Sequence, residues 1–329
     1  MNVNAASIPP CLIYGDIALS QSYRILGLGD RERQSLSYGC FDRYYWHYRQ
    51  TNFVNARFQE ASQFLALLYN YPHPQNRFYQ QPKIYEWAEQ AVQFWTQIQR
   101  RDGSFDEYWP FERSFCVTSF TLYAAAETCR LLQCPAPKDS LRKAARWLLK
   151  RANPIVMNQM AASAVALRIA GELLEDETIL QGAEQRVHFV LTHQHPSGYY
   201  EEYGGADIGY QTISLSCLAQ YFLHTRDKDV LESAQRGFRF LDDKIDANGG
   251  FDYQNTSRHT QYFYPFGFRV FEEWDLLGRH KYGLQKNEAI NPSWFDDRYC
   301  LPLAIDYLQT AVYDADGARF PSAENGNDS

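Results

Sequence analysis

The chain has 329 residues and a net charge of −7, from 39 acidic and 32 basic side chains, with no basic stripe to grip nucleic acid. No apolar run approaches the roughly 20 residues needed to cross a bilayer, and residues 1–20 lack the basic-then-apolar order of a secretory signal. Seven scattered cysteines, an odd number without a C-x-x-C pair, fit a reduced compartment, so a cytoplasmic protein is expected.

Residues 1–40, with Pro9-Pro10 and several glycines, read as an irregular extension, residues 41–315 as one helical domain and 316–329 as a flexible tail. Within the domain two kinds of helix alternate. Leu141, Ala144, Ala145 and Leu148 form one apolar stripe with Arg142, Lys143, Arg146 and Lys150 off it, as in an outer helix with a wet face. The run Met160-Ala-Ala-Ser-Ala-Val-Ala-Leu-Arg-Ile-Ala170 is apolar on nearly every side, as in an inner helix packed all round. Outer helices are expected to begin near Lys83, Asp139, Asp176 and Lys228, with Asp139 and Asp176 as caps. Inner ones are expected near Asn52, Arg113, Asn158, Tyr210, His259 and Phe295. Units roughly 40–50 residues apart are the size of helical-hairpin repeats. Six inner helices can close on themselves, so the expected fold is all-α, an (α/α)6 toroid or barrel of alternating outer and inner helices.

Three turns punctuate the repeat: Gln99-Arg-Arg-Asp-Gly103-Ser-Phe105, Gln194-His-Pro-Ser-Gly198-Tyr-Tyr200, and Ile245-Asp-Ala-Asn-Gly249-Gly-Phe251, the last without its glutamine. Each is followed by acid and aromatic residues: Asp106-Glu107-Tyr108, Glu201-Glu202-Tyr203 and Asp252-Tyr253. In a toroid these loops should converge on one mouth. The acids either form a site there or serve as helix N-terminal charges favoured by the dipole. The 24 Tyr, 21 Phe and 7 Trp must fill a core or line a cavity. Candidates near the turns are Phe105, Tyr108, Trp109, Phe115, Tyr200 and Tyr203, followed by Tyr210, Phe251, Tyr253, Tyr262 and Tyr264. Their faces would suit either a cation or a sugar ring. Arg258 and Arg113 could grip a carboxylate through the guanidinium fork, or merely tether loops.

The turn resembles the QW motif of squalene–hopene cyclases, Q-x3-G-x-W, with Phe105, Tyr200 and Phe251 in place of Trp. The length and the single barrel are similar to monodomain class II terpene cyclases of the merosterolic acid synthase type. The resemblance implies a proton-initiated cyclisation of a polyprenyl chain borne on an aromatic acid, with no metal or cofactor. A carboxyl would supply the proton: Asp106, beside Glu107 and Glu112, with Asp252 and Glu201 as rivals. A prenylated small molecule would be the substrate, with peripheral membrane contact as a route to collect it. The D-x-D-D string of the larger cyclases is absent, so the acid is placed by position alone.

The alternative is a carbohydrate-active toroid, a lyase, glycosidase or uronate epimerase, in which Asp106, Glu201 and Asp252 supply paired carboxylates. A non-catalytic peptide scaffold would leave the acid–aromatic loops unexplained. Asp242-Asp243-Lys-Ile-Asp246 spells D-D-x-x-D but ends an outer helix and reads as a solvated face. His193 and His195 flank Gln194 without a third ligand, and no metal is expected. Cavity polarity separates the two enzymes. A closed apolar pocket on Asp106 would favour the cyclase, and a wet groove with paired acids would favour sugar chemistry.

Overall fold

A computed structural model describes residues 12–316. The ordered elements are all helical, and among the described residues only isolated β-bridges interrupt them. In chain order they are α1 (Leu12–Ser20), α2 (Ser22–Leu26), α3 (Arg43–Trp46), a 3-10 turn (Ala56–Glu60) running into α4 (Ala61–Asn70), and α5 (Pro82–Ile98). Next come α6 (Phe115–Leu132), α7 (Lys138–Leu149), α8 (Met157–Leu174), α9 (Glu177–Thr192) and α10 (Ile208–Thr225). The chain continues with α11 (Lys228–Asp242), α12 (Phe266–Val270), α13 (Trp274–Lys286), a 3-10 turn (Pro292–Trp294) and α14 (Asp297–Asp316).

Composition sorts these helices as expected. On α7 the stripe Leu141, Ala144, Ala145 and Leu148 is fully buried while Lys143 and Arg146 face solvent. On α8 the small residues from Ala161 to Ala170 are buried on all sides, because alanines and serines let neighbouring helices approach closely. The all-round buried helices touch in succession: α4 on α6, α6 on α8, α8 on α10, α10 on α12, α12 on α14, and α14 on α4. Each carries an outer partner: α5 on α4, α7 on α6, α7 and α9 on α8, α11 on α10, α13 on α12, and α1 on α14.

Expectations about boundaries need correction in four places. The inner helix expected near Asn52 starts as the 3-10 turn at Ala56 and continues as α4, and the one expected near His259 starts at Phe266. Residues 12–26 are not irregular. They form α1 and α2, and the fully buried Tyr14 and Ala18 dock α1, with the Tyr14 hydroxyl 3.0 Å from His280 Nδ1. Aromatic burial here outweighs the glycines that made the segment look loose. Asp139 lies within the first turn of α7 rather than at its cap, which is Pro137, whereas Asp176 caps α9 by accepting from the Ile179 amide at 3.3 Å. The remainder of the expected N-terminal extension, residues 1–11, and most of the expected tail lie outside the described residues.

The glycine turn fastens each outer helix to the next. Gln99 Nε2 donates to the carbonyls of Gly103 and of Ser140 on α7, and Gln194 Nε2 donates to those of Gly198 and of Ser233 on α11. Gly103, Gly198 and Gly249 have φ of +99°, +100° and +73° and press against the backbones of α7, α11 and α13. A side chain there would be strained by φ and would also overlap a carbonyl of the adjacent helix. The structure adds a fourth copy. Gly39, at φ +89°, presses on the Gln90 carbonyl of α5 and is followed by Phe41-Asp42, matching Phe105-Asp106 and Phe251-Asp252.

Candidate functional site

The loops before the inner helices and the first turns of those helices surround a single cavity of about 370 Å³. Arg57 comes from the 3-10 turn ahead of α4, and Glu107, Tyr108 and Glu112 from the loop ahead of α6. Phe115 and Cys116 open α6, and Asn158 and Gln159 open α8. Tyr203 and Tyr210 flank the start of α10, Arg258, Tyr262 and Tyr264 precede α12, and Arg298, Tyr299 and Pro302 lie on α14. Helix starts present unbonded amides and the positive end of the dipole, which favours acceptors and anions in the space between them.

Two ion pairs set the electrostatics. Arg298 Nε donates to Glu107 Oε1 at 2.6 Å, and Arg57 Nη2 donates to Glu60 Oε2 at 3.2 Å, with all four residues largely buried. Burial opposes the charge on Arg298, but Glu107 and Glu60 outweigh it and hold the guanidinium protonated. Both Arg298 contacts use the same oxygen of Glu107, which leaves Oε2 without a protein donor among the described residues. Arg258 has no carboxylate partner among the described residues, and its guanidinium lies 4.3 Å from the Tyr203 ring centre. The segment carrying it is pinned by Asp207, whose Oδ2 accepts from the amides of Arg258 and Thr260 and from the Thr256 hydroxyl. The second oxygen of Asp207 caps α10 at Tyr210. Burial raises the phenols of Tyr203, Tyr210, Tyr262 and Tyr264 above their ordinary range, so each keeps its proton and can donate it.

Below the mouth lies a second, drier chamber of about 40 Å³, sharing Phe120, Ile213, Tyr264 and Pro302 with the first. Asp306 of α14 lines it. Its carboxyl accepts from the Ser216 hydroxyl and from the Phe266 amide at 3.0 Å, and burial lifts it to about 7.

The expected site residues divide sharply. Glu107, Glu112, Tyr108, Phe115, Tyr203, Tyr210, Arg258, Tyr262 and Tyr264 line the cavity. Asp106 does not. Its carboxylate accepts from Arg100 Nε at 2.7 Å and from the amides of Phe111 and Arg113, each at 2.9 Å, and it borders an outer groove instead. A carboxylate filled by loop donors has no proton aimed at the cavity, so the placement of the acid at Asp106 is corrected. The rivals are also elsewhere: Asp252 is exposed and bound to Gln254 and Asn255, and Glu201 is exposed away from the cavity lining. The turn aromatics are core. Phe105 is fully buried and stacks on Trp95 at 4.7 Å, Tyr200 is fully buried with its hydroxyl on Ser233, and Phe251 packs against the core. Trp109 and Tyr253 are outside the lining, and Arg113 reaches Asp102 at 3.5 Å rather than the cavity.

Of the two lookalike motifs, Asp242 pairs with Arg279 and Asp246 accepts from the amides of Asn248 and Gly250, both on the outer layer. His193 and His195 are exposed, and no group of three or more potential metal ligands occurs among the described residues. No described helix is long and apolar enough to cross a membrane. Sequence reasoning missed Arg57, Glu60, Arg298, Tyr299 and Asp306. Three of these carried a legible signal: Asp306 is a lone acid in the apolar run Leu301-Pro-Leu-Ala-Ile-Asp-Tyr-Leu308, and Arg57 and Glu60 stand three apart before an apolar helix.

Searches against models of known protein families and against curated proteins find no match for this sequence.

Proposed function

We propose that the chain is an (α/α)6 toroid and an enzyme that acts on an acidic, uronate-containing carbohydrate held at its mouth. The cyclic order of inner-helix contacts supports the architecture. One observation carries the chemistry: the cavity is lined by tyrosines, two glutamates and three arginines, of which Arg258 alone lacks a carboxylate partner among the described residues. A uronate carboxylate on Arg258 would have its charge neutralised, which acidifies the carbon-bound proton beside it. Glu107 Oε2 is the available acceptor for that proton, and the neutral tyrosines supply donors for the leaving or returning side. That set fits β-elimination or C5 epimerisation better than a pair of glycosidase acids, because Glu112 is already engaged by the amides of Glu107 and Tyr108.

The test is incubation with polygalacturonate, alginate and glucuronate oligosaccharides. Elimination is read as the ultraviolet absorbance of an unsaturated uronate, and epimerisation as deuterium uptake at C5 from heavy water. Glu107→Gln should lower kcat by about 10²–10⁴-fold, and Arg258→Ala should raise KM.

A second reading keeps one specific observation in its favour. Asp306, a carboxyl raised to about 7 at the apolar inner end, is the group a class II terpene cyclase would use to protonate an alkene, in place of Asp106. Cyclisation of a geranylgeranylated hydroxybenzoate to a product of unchanged mass, abolished by Asp306→Asn, would establish that reading. If no uronate glycan were turned over as well, the first would be overturned.

A further inference from the structure

The loop between the first glycine turn and α6 exposes three large rings in succession. Tyr108, Trp109 and Phe111 are 61%, 60% and 69% exposed, although each would ordinarily gain by burial. The loop carrying them is not slack. Asp106 accepts from the amides of Phe111 and Arg113, and Glu112 accepts from those of Glu107 and Tyr108, both at 2.9 Å or less. Phe111 and Arg113 are held at φ +66° and +53°, a region L-residues seldom occupy. The Arg100 guanidinium sits 4.3 Å from the Phe111 ring centre while also binding Asp106. Two carboxylates and two unfavourable backbone conformations are thus spent on holding aromatic faces in water. Such pre-organisation is what a binding platform needs.

We propose that this loop is an aromatic lip that stacks on sugar rings of a glycan extending out of the cavity, a subsite beyond the one that meets Arg258. The inference rests on the carbohydrate reading for its ligand class. Continuity supports it, since Tyr108 belongs both to the lip and to the cavity lining. The three acids of this segment are engaged within the protein, Asp106 by Arg100 and loop amides, Glu107 by Arg298 and Glu112 by loop amides, so the ring faces rather than charge select the occupant. Tyrosine and tryptophan pair an apolar face with a polar edge, the combination that matches the C–H face and hydroxyl rim of a pyranose. Asp106 and Glu112 are positioning residues in this scheme, acting through the shape of the loop.

The experiment is affinity electrophoresis of the full chain through gels containing polygalacturonate, alginate or dextran, with intrinsic tryptophan fluorescence as a second readout. At least one polymer should retard the protein and quench Trp109. Trp109→Ala with Phe111→Ala should weaken that binding by about tenfold or more, and Trp109→Phe should restore most of it. Unchanged retardation in the double variant, or no retardation by any of the three, overturns the lip. Vesicle binding or self-association that the double variant abolishes, without glycan binding, also overturns it. Turnover of a uronate glycan with unaltered binding in the double variant would sink the lip and leave the cavity reading standing. Lip-dependent retardation without turnover would do the reverse.

Discussion

Within each loop joining an outer helix to an inner one, the two halves face opposite ways. In residues 99–106, Gln99 and Gly103 fasten to α7, Phe105 enters the core and Asp106 ties the loop to itself. Glu107, Tyr108 and Glu112 turn to the cavity, where Glu107 meets Arg298 from the far end of the sequence. The loop after α9 repeats the division: Gly198 and Tyr200 hold α11, while Tyr203 lines the cavity and Glu202 is buried on Asn158 at the start of α8. The repeated half is scaffold, because every repeat needs the same fastening. The half that varies is free to be a site.

Breaking the inward half should have the largest effect. Arg298→Met leaves the Glu107 carboxylate buried without its partner, so unfolding free energy should fall by about 3–5 kcal/mol, with loss of any activity that depends on Glu107. Urea denaturation measures this, and a change below about 1 kcal/mol would show that the pair is not the keystone of the mouth. Arg298→Lys should recover part of the loss through its charge.

The outward half can be broken with an internal control. Gly198→Ala would overlap the Arg236 carbonyl and suffer strain at φ +100°, whereas Gly204, at φ +87°, has open space around it. Gly204→Ala should therefore cost about 1–2 kcal/mol from backbone strain alone, and Gly198→Ala clearly more. Neither should alter ligand affinity in the folded protein. Equal costs for the two would mean that close approach to α11 contributes nothing.

A dependence on pH sharpens the boundary between the halves. Glu202 accepts from the amide and the side chain of Asn158 at 2.7 and 2.8 Å, yet burial raises its carboxyl to about 8. A raised folded-state value means the native protein keeps a proton that the unfolded chain releases near its ordinary value. Its contribution to stability is complete below that value and is lost as pH rises toward about 8. Urea midpoints should fall across that window, and Glu202→Gln should flatten the slope. An identical pH profile in the variant would remove Glu202 as its source.

Helix type was legible from periodicity because burial on one face or on all faces is written into local composition, as α7 and α8 show. The exceptions are instructive. Arg258 was expected to open an inner helix, but α12 begins only at Phe266, and the intervening stretch is irregular and held by Asp207, more than 50 residues away in sequence by the Asp207–Thr260 contact. The tyrosines of the cavity were legible as a group, since aromatic density near the loops exceeded what an outer helix needs. The acids were not. Asp106 and Glu107 are adjacent and chemically alike, and one residue of chain decides that the first meets Arg100 and loop amides while the second meets Arg298.

By itself the sequence determined the helical class, the alternation of wet and dry helices and the glycine turns, because each depends on residues within a few turns of one another. Tertiary structure alone decided which acid faces the cavity, that Arg57 and Arg298 belong to it and Asp306 to the chamber beyond, and that the rings of Tyr108, Trp109 and Phe111 stay exposed. Those outcomes depend on charges and carbonyls brought together from distant parts of the chain. A buried carboxylate takes its role from the donors around it, and no local pattern records which donors those are.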